Sequence, residues 1–224
     1  MTYNYLGKHK IIKYVYPIKY YQTKTMADLD KILEYLRAGS IGKLDLRWGI
    51  LNDIVLYDVD LSGIDLSYAN LKKADLGKVN LSNANLSNAY LCETDLSGAN
   101  LSNADLRGAD VKSACFRDTD LRFADLKNAI NLSGAYFSGA NLSKADLSNT
   151  DLSGVNLSNA NLSRANLSDA NLTFANLDGS NLTNANLTNA DLSGAEITGA
   201  KLDIAILSNG TLRRPYINSL DMLM

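Results

Sequence analysis

Five cations spaced five residues apart are the side chains whose pattern most clearly indicates binding in this 224-residue chain. An aspartate lies two residues before four of the five. Such a row can bind an acidic protein surface, or it can form ion pairs with its own aspartates, which stabilise little when they are exposed. Both interpretations are open. The five residues, called the basic belt below, are Arg107, Lys112, Arg117, Arg122 and Lys127.

A second set of candidate binding residues is aromatic. Trp48 and Tyr68 lie twenty residues apart at positions expected to face outward, as do Phe123 and Phe174 later in the chain. Aromatic side chains are enriched in protein interfaces. We therefore expect Trp48 and Tyr68 to belong to a partner-binding surface.

The sequence contains no pattern typical of catalysis or of metal or cofactor binding. The one histidine, His9, has no nearby ligand set, and Cys92 and Cys115 do not have the spacing of metal ligands. A phosphate-binding loop and a nucleophile arrangement are also lacking. We expect no enzyme activity, no cofactor and no small-molecule substrate, and we assign no catalytic, cofactor-binding or metal-binding residues.

A five-residue repeat determines where these side chains lie. From Asp45 almost to the C-terminus the chain repeats Ala-(Asp/Asn)-Leu-polar-polar. An α-helix would advance about 140° beyond a full turn every five residues and scatter the leucines around its axis. In extended chain, residues two apart face the same way, so each Leu and the Ala two before it face inward together. The last two residues are turn formers, and the fixed period indicates a solenoid.

The repeat resembles that of the pentapeptide-repeat family. It is plain in residues 99–106, Ala-Asn-Leu-Ser-Asn-Ala-Asp-Leu. The resemblance implies an all-β fold, a right-handed, quadrilateral parallel β-helix with four pentapeptides in each coil. Residues 46–207 would then form about eight coils. Residues twenty apart would stack, Trp48 on Tyr68, and the same holds for Phe116 and Phe137 across a one-residue slip in the register.

The slip lies near residues 127–132, where one extra residue interrupts the repeat. We interpret it as a bulge at one corner of the coil, with Ile130 in place of the usual Ala.

The chain is expected to have four segments: a Tyr/Lys-rich N-terminal arm at 1–24, a capping helix at 25–39, the β-helix at 40–210 and a C-terminal cap at 211–224. Thr25 is a typical helix N-cap, and an apolar stripe follows before Gly39. A solenoid has open strand edges at its ends, which such a helix would cover. The C-terminal segment could cover the last coil or form a homodimer contact.

The arm has tyrosines interleaved with lysines over residues 3–21. Alternating aromatic and basic residues can bind single-stranded nucleic acid. The arm could equally form an edge strand on the solenoid or a partly disordered tail.

Two functions are open. The helix at residues 31–39 and the segment at 206–211 resemble stand-alone, cyanobacterial-type members of the family, which implies a non-catalytic protein-interaction scaffold or regulator of unassigned activity. The alternative is a DNA-mimic modulator of DNA gyrase, a family role that uses a strongly acidic rod. Residues 46–210 carry nineteen acidic and twelve basic residues, and the belt interrupts this acidity. We favour the scaffold.

The expected partner is an unknown protein. Five cations spread over four faces cannot all contact one straight duplex, so duplex DNA is not expected. No secretory, membrane-length or lipidation signal is present, which predicts a cytoplasmic protein with no membrane contact, either a monomer or a C-terminal homodimer.

Overall fold

The computed structural model describes residues 30–32, 34 and 44–207. Regular elements within these ranges are short. Residues 30–32 and 34 are α-helical, and Leu132–Gly134 form a turn of 3₁₀ helix. Two strands, β1 (Asn186–Leu187) and β2 (Ile206–Leu207), pair in parallel. The remaining pairing consists of isolated parallel bridges, each one residue wide, separated by tight turns.

The bridges join the Asp/Asn position of each repeat, called the wall position below, to the wall position of the next coil. Backbone hydrogen bonds flank each bridge: the amide of Leu101 donates to the carbonyl of Asp120 at 2.7 Å, and that of Asn100 to Val79 at 2.9 Å. The partner lies twenty residues on, or twenty-one across the slip, as the sequence predicted. One such column contains Asp45, Asp65, Asn85, Asp105, Asp125, Asp146, Asn166, Asn186 and Ile206.

Each corner of the coil is a four-residue turn from the central Leu to the next inward Ala. In the turn at 101–104, the amide of Ala104 donates to the carbonyl of Leu101 at 3.0 Å, and Asn103 has a φ of 58°. A positive φ at the third residue is typical of a type II turn, where Gly and Asn are favoured. The repeat therefore ends in Asn or Gly because that residue, called the corner position below, must be left-handed.

The wall side chain fixes the corner that follows it. Asn100 Oδ1 accepts hydrogen bonds from the backbone amide of Ser102 at 3.0 Å and from Ser102 Oγ at 2.7 Å. This local bond between a short polar side chain and the backbone two residues on is the Asx-turn arrangement. The preference of the repeat for Asp or Asn followed by Leu-Ser thus has a direct structural cause.

The interior is filled by the Leu and Ala positions. Leu101 and Ala104 are essentially inaccessible to solvent, like the other inward residues of the central coils. Phe116 and Phe137 replace leucines in adjacent coils, and their rings stack with centroids 4.7 Å apart and planes 3° from parallel. This confirms the column predicted for them, and it places both rings in the core, where they serve packing.

The register slip does not have the form expected from the sequence. Ala129 keeps the buried inward position, and Ile130 takes the wall position, bridged to Asp110 and half exposed. The inserted residue is Asn131, which has a φ of 61° and donates its Nδ2 to Asp110 Oδ1 at 2.7 Å. The expectations of a bulge at a corner and of Ile130 in place of the usual inward Ala were therefore wrong. The extra residue fits on the wall because Asn tolerates the left-handed conformation and finds a hydrogen-bond partner there.

The two ends are described only in part. Ile32, in the helical segment, is fully buried in the same core cluster as Leu46 of the first coil. That a helix at 25–39 caps the coil stays a prediction, since most of it lies outside the described residues, as do the arm at 1–24 and the segment at 211–224. Within the described ranges, no helix has the length and apolar character that crossing a membrane requires.

Candidate interaction surfaces

A groove of about 300 Å³ opens on the outside of the first coils. Trp48 and Tyr68 stack in it with ring centroids 4.2 Å apart and planes 8° from parallel, which confirms the predicted column. Trp48 is 59% exposed and Tyr90 54% exposed, so much of the aromatic surface faces solvent. The groove, called the aromatic groove below, is lined by Trp48, Gly49, Ile50, Tyr68, Asn70, Lys72, Tyr90 and Cys92.

Two neighbouring columns of the solenoid build this groove. Trp48 and Tyr68 are corner residues of successive coils, and the amide of each donates to a serine carbonyl of the next coil at 3.0 Å. Ile50, Asn70 and Tyr90 are wall residues of the adjacent column, bridged in that order. The backbone hydrogen bonds between successive coils therefore set the spacing of the groove side chains.

The corner aromatics are held in an unfavourable backbone conformation. Trp48 and Tyr68 both have a φ of 59°, and Phe123 and Phe174 have φ values of 61° and 57°. A bulky residue in the left-handed region is an outlier, which costs free energy that Asn or Gly at the same corner would avoid. Such outliers are concentrated at functional sites.

The basic belt is partly neutralised by the walls beside it. Arg107 bonds to Asp105, with Nη2 to Oδ2 at 2.5 Å, and also lies 3.6 Å from Asp125. Arg122 makes the same intrarepeat pair with its own wall aspartate at 2.7 Å. Lys127 instead reaches the wall of the next coil, with its Nζ 3.1 Å from Asp146 Oδ2.

The pairs of Arg107 and Lys127 lie where carboxylates stack on carboxylates. Asp105, Asp125 and Asp146 follow one another in a single bridged column. The hydrogen bond from the Arg107 side chain is the main cause that lowers the pKa of Asp105. The same contact raises the pKa of Arg107. Local charge pairing therefore accounts for Arg107 and Lys127, since without these two cations the column would hold adjacent like charges.

Lys112 and Arg117 are the belt residues that make no ion pair within the described part of the chain. The wall residue two positions before Arg117 is Cys115 and not an aspartate. The Arg117 guanidinium lies 5.4 Å from the centre of the Tyr136 ring. The side chains of Lys112 and Arg117 are exposed on two different sides of the coil. They are the belt cations best able to contact a partner.

Sequence reasoning missed the wall half of the aromatic groove. Ile50 and Tyr90 occupy positions that the repeat gives to Asp or Asn, and they are forty residues apart in one column. Comparing substituted wall positions at multiples of twenty would have found them. The groove lies on the outer surface of the solenoid, whose interior is filled by the inward residues.

No set of His, Cys, Asp or Glu side chains that could hold a metal ion occurs among the described residues. Cys92 in the groove is a free thiol. Burial raises its pKa, and its hydrogen bond to Asp110 raises the pKa further. The thiol is therefore protonated at neutral pH, so it is poorly suited to act as a nucleophile.

The family model for pentapeptide repeats matches residues 51–83, 84–122, 130–169 and 165–203, with eight copies of the unit. The matched segments cover more than half of the chain and leave out residues 123–129, which lie just before the slip. The chain belongs to the pentapeptide-repeat family. Membership implies the right-handed β-helix solenoid, in agreement with the parallel bridges. Proteins of this family are generally structural or interaction proteins. A search of curated proteins found no significant match.

Solved structures of pentapeptide-repeat proteins are similar over most of their length. HetL, involved in heterocyst differentiation regulation in the cyanobacterium Nostoc sp. strain PCC 7120, is 30% identical over 78% of this chain and 92% of its own, with a TM-score of 0.28. Full-length QnrB1, a plasmid-mediated fluoroquinolone resistance protein, is 20% identical over 75% and 94%, with a TM-score of 0.41. Rfr23 of the cyanobacterium Cyanothece 51142 is 22% identical over 77% and 98%, with a TM-score of 0.21.

Proposed function

We propose that this protein is a non-catalytic scaffold or regulator that binds a protein partner through the aromatic groove. The observation that carries the proposal is the pair Trp48 and Tyr68, two large exposed rings held at a φ of 59° where the repeat prefers Asn or Gly. Exposed aromatic residues in a preformed concavity are typical of the energetic centre of an interface.

The belt contributes a second, weaker contact in this proposal. Lys112 and Arg117 remain available for an acidic protein surface, whereas Arg107, Arg122 and Lys127 are engaged by wall aspartates. The cations are distributed around the rod, and carboxylates lie beside them. Duplex DNA, which needs several cations on one side, is therefore not the proposed partner.

The test replaces Trp48 and Tyr68 by Asn, the residue found at other corner positions of the same column. Asn88, Asn128 and Asn149 occupy that column with φ values of 56° to 58°. A Trp48→Asn/Tyr68→Asn protein is expected to keep its fold and to lose partners captured from the native host by the unaltered protein. Because Asn is the favoured corner residue, loss of binding would not be a consequence of misfolding.

Phe174→Asn is the matched control, since it makes the same chemical change at another corner, where the ring is 74% exposed. It should retain the captured proteins. Equal capture by all three proteins would show that the groove is not the contact surface, and the proposal would then have to be abandoned.

The alternative function is modulation of DNA gyrase by an acidic rod. The excess of acidic residues in 46–210 favours it, and the belt cations oppose it. We expect the purified protein to leave gyrase supercoiling and its quinolone sensitivity unchanged. Protection of gyrase at near-stoichiometric protein would replace the scaffold proposal by the gyrase one.

The remaining parts of the proposal concern the whole chain. We infer about eight coils, because eight bridged steps lead from Asp45 to Ile206 in one column. A helix at 25–39 would cap the first coil, and the segment at 211–224 would cap the last or form a homodimer. We propose a cytoplasmic protein without catalytic activity.

A further inference from the structure

We propose that the Tyr/Lys-rich segment at residues 3–21 of the same chain is a ligand of the aromatic groove. The proposed occupant is thus a basic, aromatic segment of the chain itself. The proposal uses the groove assigned above as the contact surface, but it requires no external partner, so the two can fail independently.

The position of the helical segment brings the arm within reach. Ile32 is buried in the core cluster that begins with Leu46, and Lys31 is close enough to Asp45 to contribute to its lowered pKa. The chain before residue 30 therefore starts at the end of the rod where Trp48 lies. If the nine residues at 22–30 were fully extended, they would span about 30 Å. The groove covers the three coils from Trp48 to Cys92, which is only about 10–15 Å at the spacing of parallel layers.

The charges of the two segments are complementary. Residues 44–95 contain eight Asp/Glu and four Lys/Arg, whereas residues 1–29 contain five Lys and one Asp. The net charges are therefore −4 and +4. Lys72 and Lys73 both lie 3.7 Å from Glu93. The carboxylates of the first coils that are not in such ion pairs can attract the basic arm.

The chemistry of the groove suits tyrosines in particular. Trp48 and Tyr68 already stack on each other, and more than half of the Trp48 surface remains exposed. Additional tyrosine rings can pack against Trp48 and Tyr90 and keep their hydroxyls in water. Lysine stems can cover the apolar rims of the groove while the ammonium groups remain solvated. A tethered occupant also avoids most of the entropy that a separate peptide loses on binding.

The single tryptophan allows a direct test, because Trp48 reports on the groove without labelling. The full-length chain is compared with a variant in which Tyr14, Tyr16, Tyr20 and Tyr21 are replaced by Ser. We expect the variant to show a red-shifted Trp48 emission and a larger acrylamide quenching constant, with an unchanged far-ultraviolet circular dichroism spectrum. Replacing the same four residues by Phe is the matched control and should keep the emission of the unaltered protein, since the rings are retained.

Added synthetic peptide of residues 3–21 should reverse the change in the Ser variant, and a scrambled peptide of the same composition should reverse it less. Identical emission and quenching in the unaltered protein and the Ser variant would overturn the proposal. A quenching constant that depends on protein concentration would also overturn it, in favour of a second copy of the chain as the occupant. Loss of partner capture by the groove variants would leave these outcomes unaffected.

Discussion

The conformation of the corner residue decides at residue scale which substitutions this fold tolerates. Asn103 and the other corner residues need a left-handed φ, whereas the inward residue two before each central Leu needs to be small. Most inward positions hold Ala, but Thr94, Thr119, Thr150 and Ser180 are buried there too. Thr119 Oγ1 donates to the carbonyl of Leu96 at 2.8 Å, so its hydroxyl is satisfied. Ser180 Oγ, by contrast, has no hydrogen-bond partner among the described residues.

Ser180→Ala is therefore expected to stabilise the protein by about 1 kcal/mol, because it removes a buried hydroxyl that leaves its hydrogen bond unmade. Thermal or urea unfolding measures the change. Thr119→Ala is the control at an equivalent position, and it should lower stability, since it removes a hydrogen bond that is made. A loss of stability in Ser180→Ala would mean that the hydroxyl has a partner after all.

The wall columns are the elements in which charge and hydrogen bonding compete. In four places where Asn follows Asp, the amide donates to the carboxylate of the preceding coil, as Asn80 does to Asp60 at 2.8 Å. Where Asp follows Asp, no such donor exists, and Arg107 supplies the charge instead. The belt is thus explained in part by the sequence of the column beside it, without reference to a partner.

This arrangement predicts a pH dependence. The lowered pKa of Asp105 in the folded protein means that its stabilising contribution is present above the unfolded value and is lost as the pH falls through the folded value. The thermal midpoint of the unaltered protein should therefore decrease on acidification below about pH 4. Arg107→Ser should show a smaller decrease over the same range, because the pair is already missing.

Arg164→Ser provides the comparison, since Arg164 makes no ion pair within the described ranges. Its acid profile should match that of the unaltered protein. At neutral pH the effect of Arg107→Ser should be small, because the side chain is more than half exposed. Parallel acid profiles for all three proteins would show that Asp105 does not depend on Arg107.

At the scale of the whole molecule, the solenoid could be predicted from the sequence, because the five-residue period places Leu and Ala together on the inside only in a coiled, extended chain. The stacking of Trp48 on Tyr68 followed from the same period. The position of the inserted residue could not be predicted from the period, since Asn131 and Ile130 could each have been the extra residue. The choice depends on the bridge to Asp110, which lies about twenty residues away in the sequence. The groove was also missed, because a concavity depends on side-chain sizes in two columns at once.

Leu101→Ala tests the stacked core. Leu101 is fully buried in the core cluster, so truncation should destabilise the protein by about 2–5 kcal/mol, the range for buried leucines. Asn103→Gly in the same turn is the control and should change stability little, since Gly also adopts a positive φ. The far-ultraviolet circular dichroism of both should remain β-dominated. A neutral Leu101→Ala would contradict a core built on leucine columns.

The claim that the aromatic groove is the contact surface is tested most directly by site-specific photo-crosslinking in the native host. A photoreactive residue is placed at Asn70, which lines the groove, or at Asn161, a wall residue of another column. The two sites are matched, because each side chain accepts a hydrogen bond from the amide two residues on, at 3.1 Å in both cases. We predict an intermolecular adduct with a distinct protein from position 70 and none from position 161. Adducts of equal yield from both positions, or from position 161 alone, would contradict the account.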